Sequence, residues 1–202
     1  MTRFVRCAAA ALLLLTQRPA SLAGQAGGWS LGVSTAYSDF RGGLRDPSGI
    51  TFEPSSRFNF ALEAARTFEK WELQFGLGWA AGHLSSRDST GEALQIDALD
   101  AGFDRLRGSV SFGIRLAGVG EGKLSLLAGP TFDLWHGDDK WRPRLGGEAR
   151  LALTAPLGKL CLENYLGYSL SGSPFNADEF PAEFERTALN AISVGIALRW
   201  KL

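Results

Sequence analysis

The stretch Trp71-Glu72-Leu73-Gln74-Phe75-Gly76-Leu77-Gly78-Trp79-Ala80-Ala81-Gly82 alternates without a break. Trp71, Leu73, Phe75, Leu77, Trp79 and Ala81 fall on one side of an extended chain, and Glu72, Gln74, Gly76, Gly78, Ala80 and Gly82 on the other. A period of two predicts a β-strand with two unlike faces. One face carries large apolar side chains and the other mostly small ones. The small face suits a narrow interior, where side chains have little room.

The same pattern recurs on both sides of this stretch and predicts eight strands: 29–40, 57–68, 71–82, 104–117, 123–135, 144–155, 159–170 and 188–202. In the last, Ile192, Val194, Ile196, Leu198, Trp200 and Leu202 alternate with Ala191, Ser193, Gly195, Ala197, Arg199 and Lys201. Pro130 removes a ladder donor from the fifth, so an irregularity is expected there. The connections alternate in length. Glu69-Lys70, 118–122 and 156–158 are short, whereas 41–56, 83–103, 136–143 and 171–187 are mostly longer. Short turns at one end and long loops at the other are the layout of an outer-membrane barrel with long extracellular loops.

A soluble eight-stranded barrel would also alternate, but its outer face would need Lys, Glu and Thr. Here the outward positions are apolar and end in two aromatic belts. Trp29, Trp71 and Trp200 mark the short-turn side; Tyr37, Trp79 and Tyr168 mark the long-loop side. Two girdles around an aliphatic middle match a bilayer with two interfaces. The expected fold class is therefore all-β: an eight-stranded antiparallel up-and-down transmembrane β-barrel spanning 24–202. The alternating strands, Ala128-Gly129-Pro130 and the ending 192–202 resemble the small outer-membrane barrels of the OmpA-transmembrane and OmpX type. That resemblance implies a place in the bacterial outer membrane, contact with its lipid and lipopolysaccharide, and a last strand read by the barrel-insertion machinery. Leu202 stands where a Phe is commonest in that strand.

The N-terminus reads as a cleaved signal peptide, 1–23. Arg3 and Arg6 precede an apolar run, Cys7 to Leu15, and Ser21-Leu22-Ala23 offers small residues for the peptidase. The apolar run is too short to be a spanning helix. Of 202 residues, the mature part keeps 18 basic against 21 acidic, a net charge of −3. With no basic excess, nucleic acid is not an expected partner. Cys161 is the single mature cysteine, so no internal disulfide can form.

Charges on the inward face are costly unless paired. Glu63, Glu72, Arg105, Arg107, Arg115, Glu148, Arg150 and Glu163 all point inward by parity. Two layers of ion pairs are expected: Glu72 with Arg115 near the short-turn end, and Arg150 with Glu148, Glu163 and Glu63 at mid-height. They serve either as a plug or as a gate or proton path, and eight strands favour the plug because they enclose no aqueous lumen. A narrow pore is the lesser reading.

Catalytic chemistry has one candidate. His83-Leu84-Ser85 has the His-x-Ser spacing of the lipid A deacylase barrels, with Glu92 or Asp97 as an orienting acid. Ser86 stands where that family has Asn, and the motif lies at the end of the third strand rather than late in the chain. The expectation is a non-enzymatic barrel, acting in envelope integrity or surface interaction through its loops. His136-Gly137-Asp138-Asp139 offers too few ligands for zinc, so no metal or cofactor is expected. In the loop 171–187, Phe175, Phe180 and Phe184 interleave with acids. They are either a partner-contact surface or packing against the barrel rim.

Overall fold

The structure, a computed structural model, describes residues 28–55, 57–88, 93–95, 102–137 and 139–202; the expected signal peptide lies outside them. Eight strands close an antiparallel barrel: β1 (Trp29–Arg41), β2 (Arg57–Thr67), β3 (Trp71–Ala80), β4 (Asp104–Val119), β5 (Gly122–Gly137), β6 (Lys140–Leu157), β7 (Leu160–Ser171) and β8 (Leu189–Lys201). Each strand pairs with the next, and β8 closes on β1 from Ser30 opposite Lys201 to Arg41 opposite Asn190. Closure leaves no barrel strand with an open edge, the condition for a sheet in lipid.

The strands outrun the sequence expectation where turns are tight. β4 and β5 leave only Gly120-Glu121 between them, and Gly120 adopts φ +58°, which suits glycine. β5 and β6 extend to Gly137 and from Lys140, so the expected loop 136–143 is nearly all hairpin. The irregularity expected at Pro130 is present on the β4 side, where pairing lapses between Ser109–Thr131 and Phe112–Ala128. On the β6 side Pro130 keeps register opposite Gly147. The ladder also bulges in β4 between Arg115 and Ala117.

The other long connections contribute short strands of their own. Leu44–Arg45 and Thr51–Pro54 from the first, Leu84–Arg87 and Ala93–Gln95 from the second, and Glu185–Arg186 from the fourth form a five-stranded sheet. These strands are two to four residues long, too short to show a period in the sequence.

Inside the barrel, small residues make room for large ones. A Cβ on Gly195 would meet the Tyr165 ring at 2.4 Å, and one on Gly32 would meet the Arg199 side chain at 2.7 Å. Outside, the large apolar side chains are exposed, Leu62 at 63% and Leu145 at 77%. A contiguous apolar surface of this extent on a closed barrel is a lipid-facing one.

Candidate functional site

The inward charges meet in one continuous ladder. At the short-turn end Lys123 on β5 pairs with Glu72 on β3. The other oxygen of Glu72 accepts from Arg199 Nη1 on β8 at 2.7 Å. Arg199 also reaches Glu163 on β7 at 2.9 Å and Glu63 on β2 at 3.2 Å. Glu63 passes the chain upward to Arg150 at 3.1 Å, and Arg150 to Glu148 at 3.2 Å. Glu148 meets Arg107 at 3.6 Å; Arg107 binds Asp133 with two hydrogen bonds, of 2.6 and 2.8 Å, and Asp133 lies 3.7 Å from Arg105. Ser34, Ser111 and Thr154 hydroxyls donate to Glu63, Glu148 and Glu163. Five carboxylates and five cations thus alternate up the lumen. Charges taken out of water need partners and satisfied lone pairs, and this set supplies both.

This differs in detail from the parity reading. Glu72 does not pair with Arg115, which lies exposed at the bulge, where β4 leaves the inward alternation. Its place is taken by Lys123 and Arg199. Arg150 joins Glu63 and Glu148, whereas Glu163 turns to Arg199. Arg199, Lys123 and Asp133 were not singled out by sequence reasoning. Arg199 could have been, since Leu198 and Trp200 fix it on the inward face.

Above the ladder the lumen is closed by aromatic packing. Phe40, Leu44, Phe103, Trp135, Phe175, Leu189 and Ala191 form a buried cluster, with Phe52, Leu84, Phe180 and Phe184 packed on it. Phe103 stacks on Trp135 at 5.3 Å and on Phe175 at 5.6 Å. The guanidiniums of Arg57 and Arg105 lie over the Phe40 and Trp135 rings at 5.2 to 5.9 Å, joining ladder to lid. Phe175 is only 2% exposed and Phe180 and Phe184 are half-buried. All three pack on the rim: Phe175 within the buried cluster, Phe180 and Phe184 against it. Beside the upper ladder a cavity of about 60 Å³ remains, lined among others by Ser34, Ser38, Asn59, Arg107 and Glu148. It holds a few waters at most.

The loop 171–187 is fastened over this lid. Arg142 Nε donates to both Glu179 oxygens, at 2.9 and 3.0 Å, and Asn176 backbone N–H donates to Glu179 as well. Burial pushes the Glu179 carboxyl up, but the Arg142 hydrogen bond and charge and the Asn176 hydrogen bonds outweigh it and hold its pKa below the usual 4.5. Arg144 donates to the Ser173 and Phe175 carbonyls and to the Asn176 side chain. In the rim sheet, Arg87 pairs with Glu53 at 2.7 Å.

The catalytic candidates do not converge. His83 is exposed, and the Ser85 hydroxyl is buried and donates to the Glu53 carbonyl at 3.2 Å. A nucleophile needs its base within hydrogen-bond reach, and among the described residues Ser85 has none there. Glu92 and Asp97 lie outside the described residues. His136 packs on Trp141 at 4.4 Å. No group of three metal-ligating side chains occurs among the described residues.

On the outside the belts stand at the two ends of the apolar wall. Trp29, Trp71 and Trp200 are 38 to 51% exposed, and Tyr37, Trp79 and Tyr168 42 to 50%. In the lower belt Trp71 stacks on Phe68 and Phe112, and Arg66 lies over Trp29 and Phe68.

No family model and no curated protein matches the sequence. Among solved structures the chain is similar to Neisserial surface protein A, with a TM-score of 0.58 and 13% identity over 89% of this chain and 100% of that one. It is also similar to the outer membrane protein OprG from Pseudomonas aeruginosa, with a TM-score of 0.56 and 9% identity over 88% of this chain and 96% of the other. At such identities the likeness is one of fold. The chain has the fold of the small eight-stranded outer-membrane barrels, the architecture that alternation, closure and girdles all require.

Proposed function

We propose that the protein is a closed, non-enzymatic barrel of the bacterial outer membrane, exported by a cleaved signal peptide, acting in envelope integrity or surface interaction through a structured extracellular cap. The carrying observation is that the lumen is filled twice over. The charge ladder occupies it from Lys123 to Arg105, and the aromatic lid closes it above. A conducting barrel needs a wider aqueous lumen than eight strands enclose. What remains for function is the surface at the loop end. There the second sheet holds segments of three loops in one rigid arrangement, which presents a fixed face to a partner at little ordering cost.

With its long loops the cap lies outside the cell and both termini of the barrel chain on the periplasmic side. The apolar wall contacts outer-membrane lipid and lipopolysaccharide, and β8 with Leu202 is the segment offered to the insertion machinery. The printed name of one similar structure, a surface protein, agrees with this reading.

Two measurements test it. Purified protein in planar bilayers should show little steady conductance; large, stable unitary currents would replace this reading with the pore. Cells lacking the protein should gain sensitivity to detergent and chelator, and a chain whose cap strands 44–54 and 84–95 are replaced by short Gly/Ser turns should fold and insert but not restore resistance. Full restoration by that chain would move the function from cap to wall.

A further inference from the structure

Between the two belts the outward positions are apolar or glycine among the described residues, with two exceptions: Thr35 on β1 and Asn164 on β7. Asn164 faces outward because Glu163 and Tyr165 on either side face the lumen, 2% and 8% exposed. Its height is fixed by its own strand. It lies four residues from Leu160, which registers with Trp200 of the lower belt, and four from Tyr168 of the upper one. That is the middle of the apolar wall. Asn164 stands opposite Leu153 on β6 and Ile196 on β8, and Ile196 in turn stands opposite Thr35. None of these neighbours on its strands offers a polar side chain in contact, and the Asn164 amide makes no hydrogen bond among the described residues.

An amide carries two N–H donors and a carbonyl acceptor. In hydrocarbon nothing satisfies them, so a lipid-facing Asn at mid-depth costs free energy unless another protein group meets it. The lumen cannot: its polar side chains are on the other face of the sheet. Lipid chains cannot either. The group that fits best is a second amide. Asn is self-complementary, so across a twofold axis the N–H of one copy donates to the carbonyl of the other and the reverse. Two further features favour a second copy here. The wall around Asn164 on β7 and β8 is smooth aliphatic surface (Leu162, Leu166, Val194, Ile196, Leu198), with no charge to repel an identical face. Thr35 adds a hydroxyl in the same register row.

We propose that this protein forms a twofold homodimer in the membrane through the β7–β8–β1 wall, with Asn164 of each copy completing the hydrogen bonds of the other. The interface is completed only by the second copy, and it leaves the extracellular caps of both protomers free.

The test uses the full mature chain in phosphatidylethanolamine/phosphatidylglycerol vesicles, with dimerisation read by energy transfer between donor- and acceptor-labelled copies as the protein-to-lipid ratio is varied. Wild type should self-associate. Asn164→Leu should stay folded, as judged by its heat-modifiable migration, and associate roughly tenfold more weakly, the factor for one to two hydrogen bonds of this kind. Asn164→Gln should recover part of the loss. A second measurement does not depend on that variant's energetics. On a Cys161→Ser background, Asn164→Cys should form an intermolecular disulfide in membranes, and Leu77→Cys, on the opposite wall, should not. Wild type that remains monomeric at all ratios, Asn164→Leu that associates as well as wild type, or equal cross-linking at both positions would each overturn the proposal.

Discussion

The lower part of the lumen and its upper end are closed by different chemistry. Below, ten ionisable groups alternate in sign from Lys123 to Arg105. Above, Phe40, Phe103, Trp135 and Phe175 are packed against one another and covered by the five-stranded sheet. The difference follows from what the chain supplies at each height. Between the belts the wall must be apolar outside, so the strands alternate, and the inward positions receive small and charged residues that can meet only across the barrel. At the rim the chain leaves the barrel in long connections and can bring whole aromatic side chains inward from loops. A ladder fails as a unit, because each member leaves a buried charge behind; a lid loses contacts one at a time.

The largest expected effect is at Arg199, which is 4% exposed and faces Glu63, Glu72 and Glu163 together. Arg199→Met should destabilise the barrel by about 3–5 kcal/mol, since it strands buried carboxylates. The unfolding midpoint in urea, read by tryptophan fluorescence in lipid vesicles, measures it. Adding Glu163→Gln to Arg199→Met should recover part of the loss, as double-mutant coupling requires. Strict additivity would show that the ladder is a set of independent pairs.

The lid should behave in the opposite way. Phe103→Ala removes a ring stacked on both Trp135 and Phe175 and should cost about 3 kcal/mol. A second truncation, Phe175→Ala, should add to that loss with no rescue. The loss should be local: protease should cut the loop 171–187 sooner, while the barrel keeps its heat-modifiable migration. Loss of the barrel itself would mean that lid and ladder are one cooperative unit.

Acid should separate the two regions further. Glu179 has a folded pKa held below 4.5 by Arg142 and Asn176 despite burial. A depressed carboxylate stabilises the folded state above its unfolded value, and that contribution fades as pH falls through the folded pKa. Proteolysis of the loop 171–187 should therefore accelerate below about pH 4.5 and be unaffected between pH 6 and 8. Glu179→Gln should remove the acid step and leave the loop cut faster at all pH values.

The contrast also marks what the sequence made legible. Period-two alternation gave all eight barrel strands, because a membrane wall enforces it over ten or more residues at a time. It placed Glu63, Glu148, Arg150 and Glu163 inside for the same reason. It also paired Arg150 with Glu63 and Glu148, but it missed the partners of Glu72 and Glu163. Glu72 and Arg199 belong to β3 and β8, which are not neighbours in the wall; they meet only across the lumen, and parity reports a face, not a cross-lumen contact. The cap was less legible still. Its strands are two to four residues long, and the burial of Phe175 depends on Phe103 from another connection and Trp135 from β5.

The smallest expected effect tests where the parity reading stops. By alternation Arg115 belongs on the inward face with Arg105 and Arg107, near Glu72 at the short-turn end of the neighbouring strand. The bulge between Arg115 and Ala117 interrupts that alternation, and Arg115 ends up exposed near the short-turn rim. Lys123, paired opposite Gly118 just past the bulge, reaches inward to Glu72 in its place. A bulge adds one residue to one strand, so every side chain beyond it changes face relative to its partner strand. Surface positions without buried partners usually tolerate truncation within about 0.5 kcal/mol, and Arg115→Ala should fall in that range. Lys123→Met, which deprives a buried carboxylate of one of two cations, should cost more, about 1–3 kcal/mol, with Arg199 still holding Glu72. Both are read from the same urea midpoints. Equal losses for the two variants, or a greater loss at Arg115, would mean that the bulge is absent in the membrane and that β4 carries its alternation through to the turn.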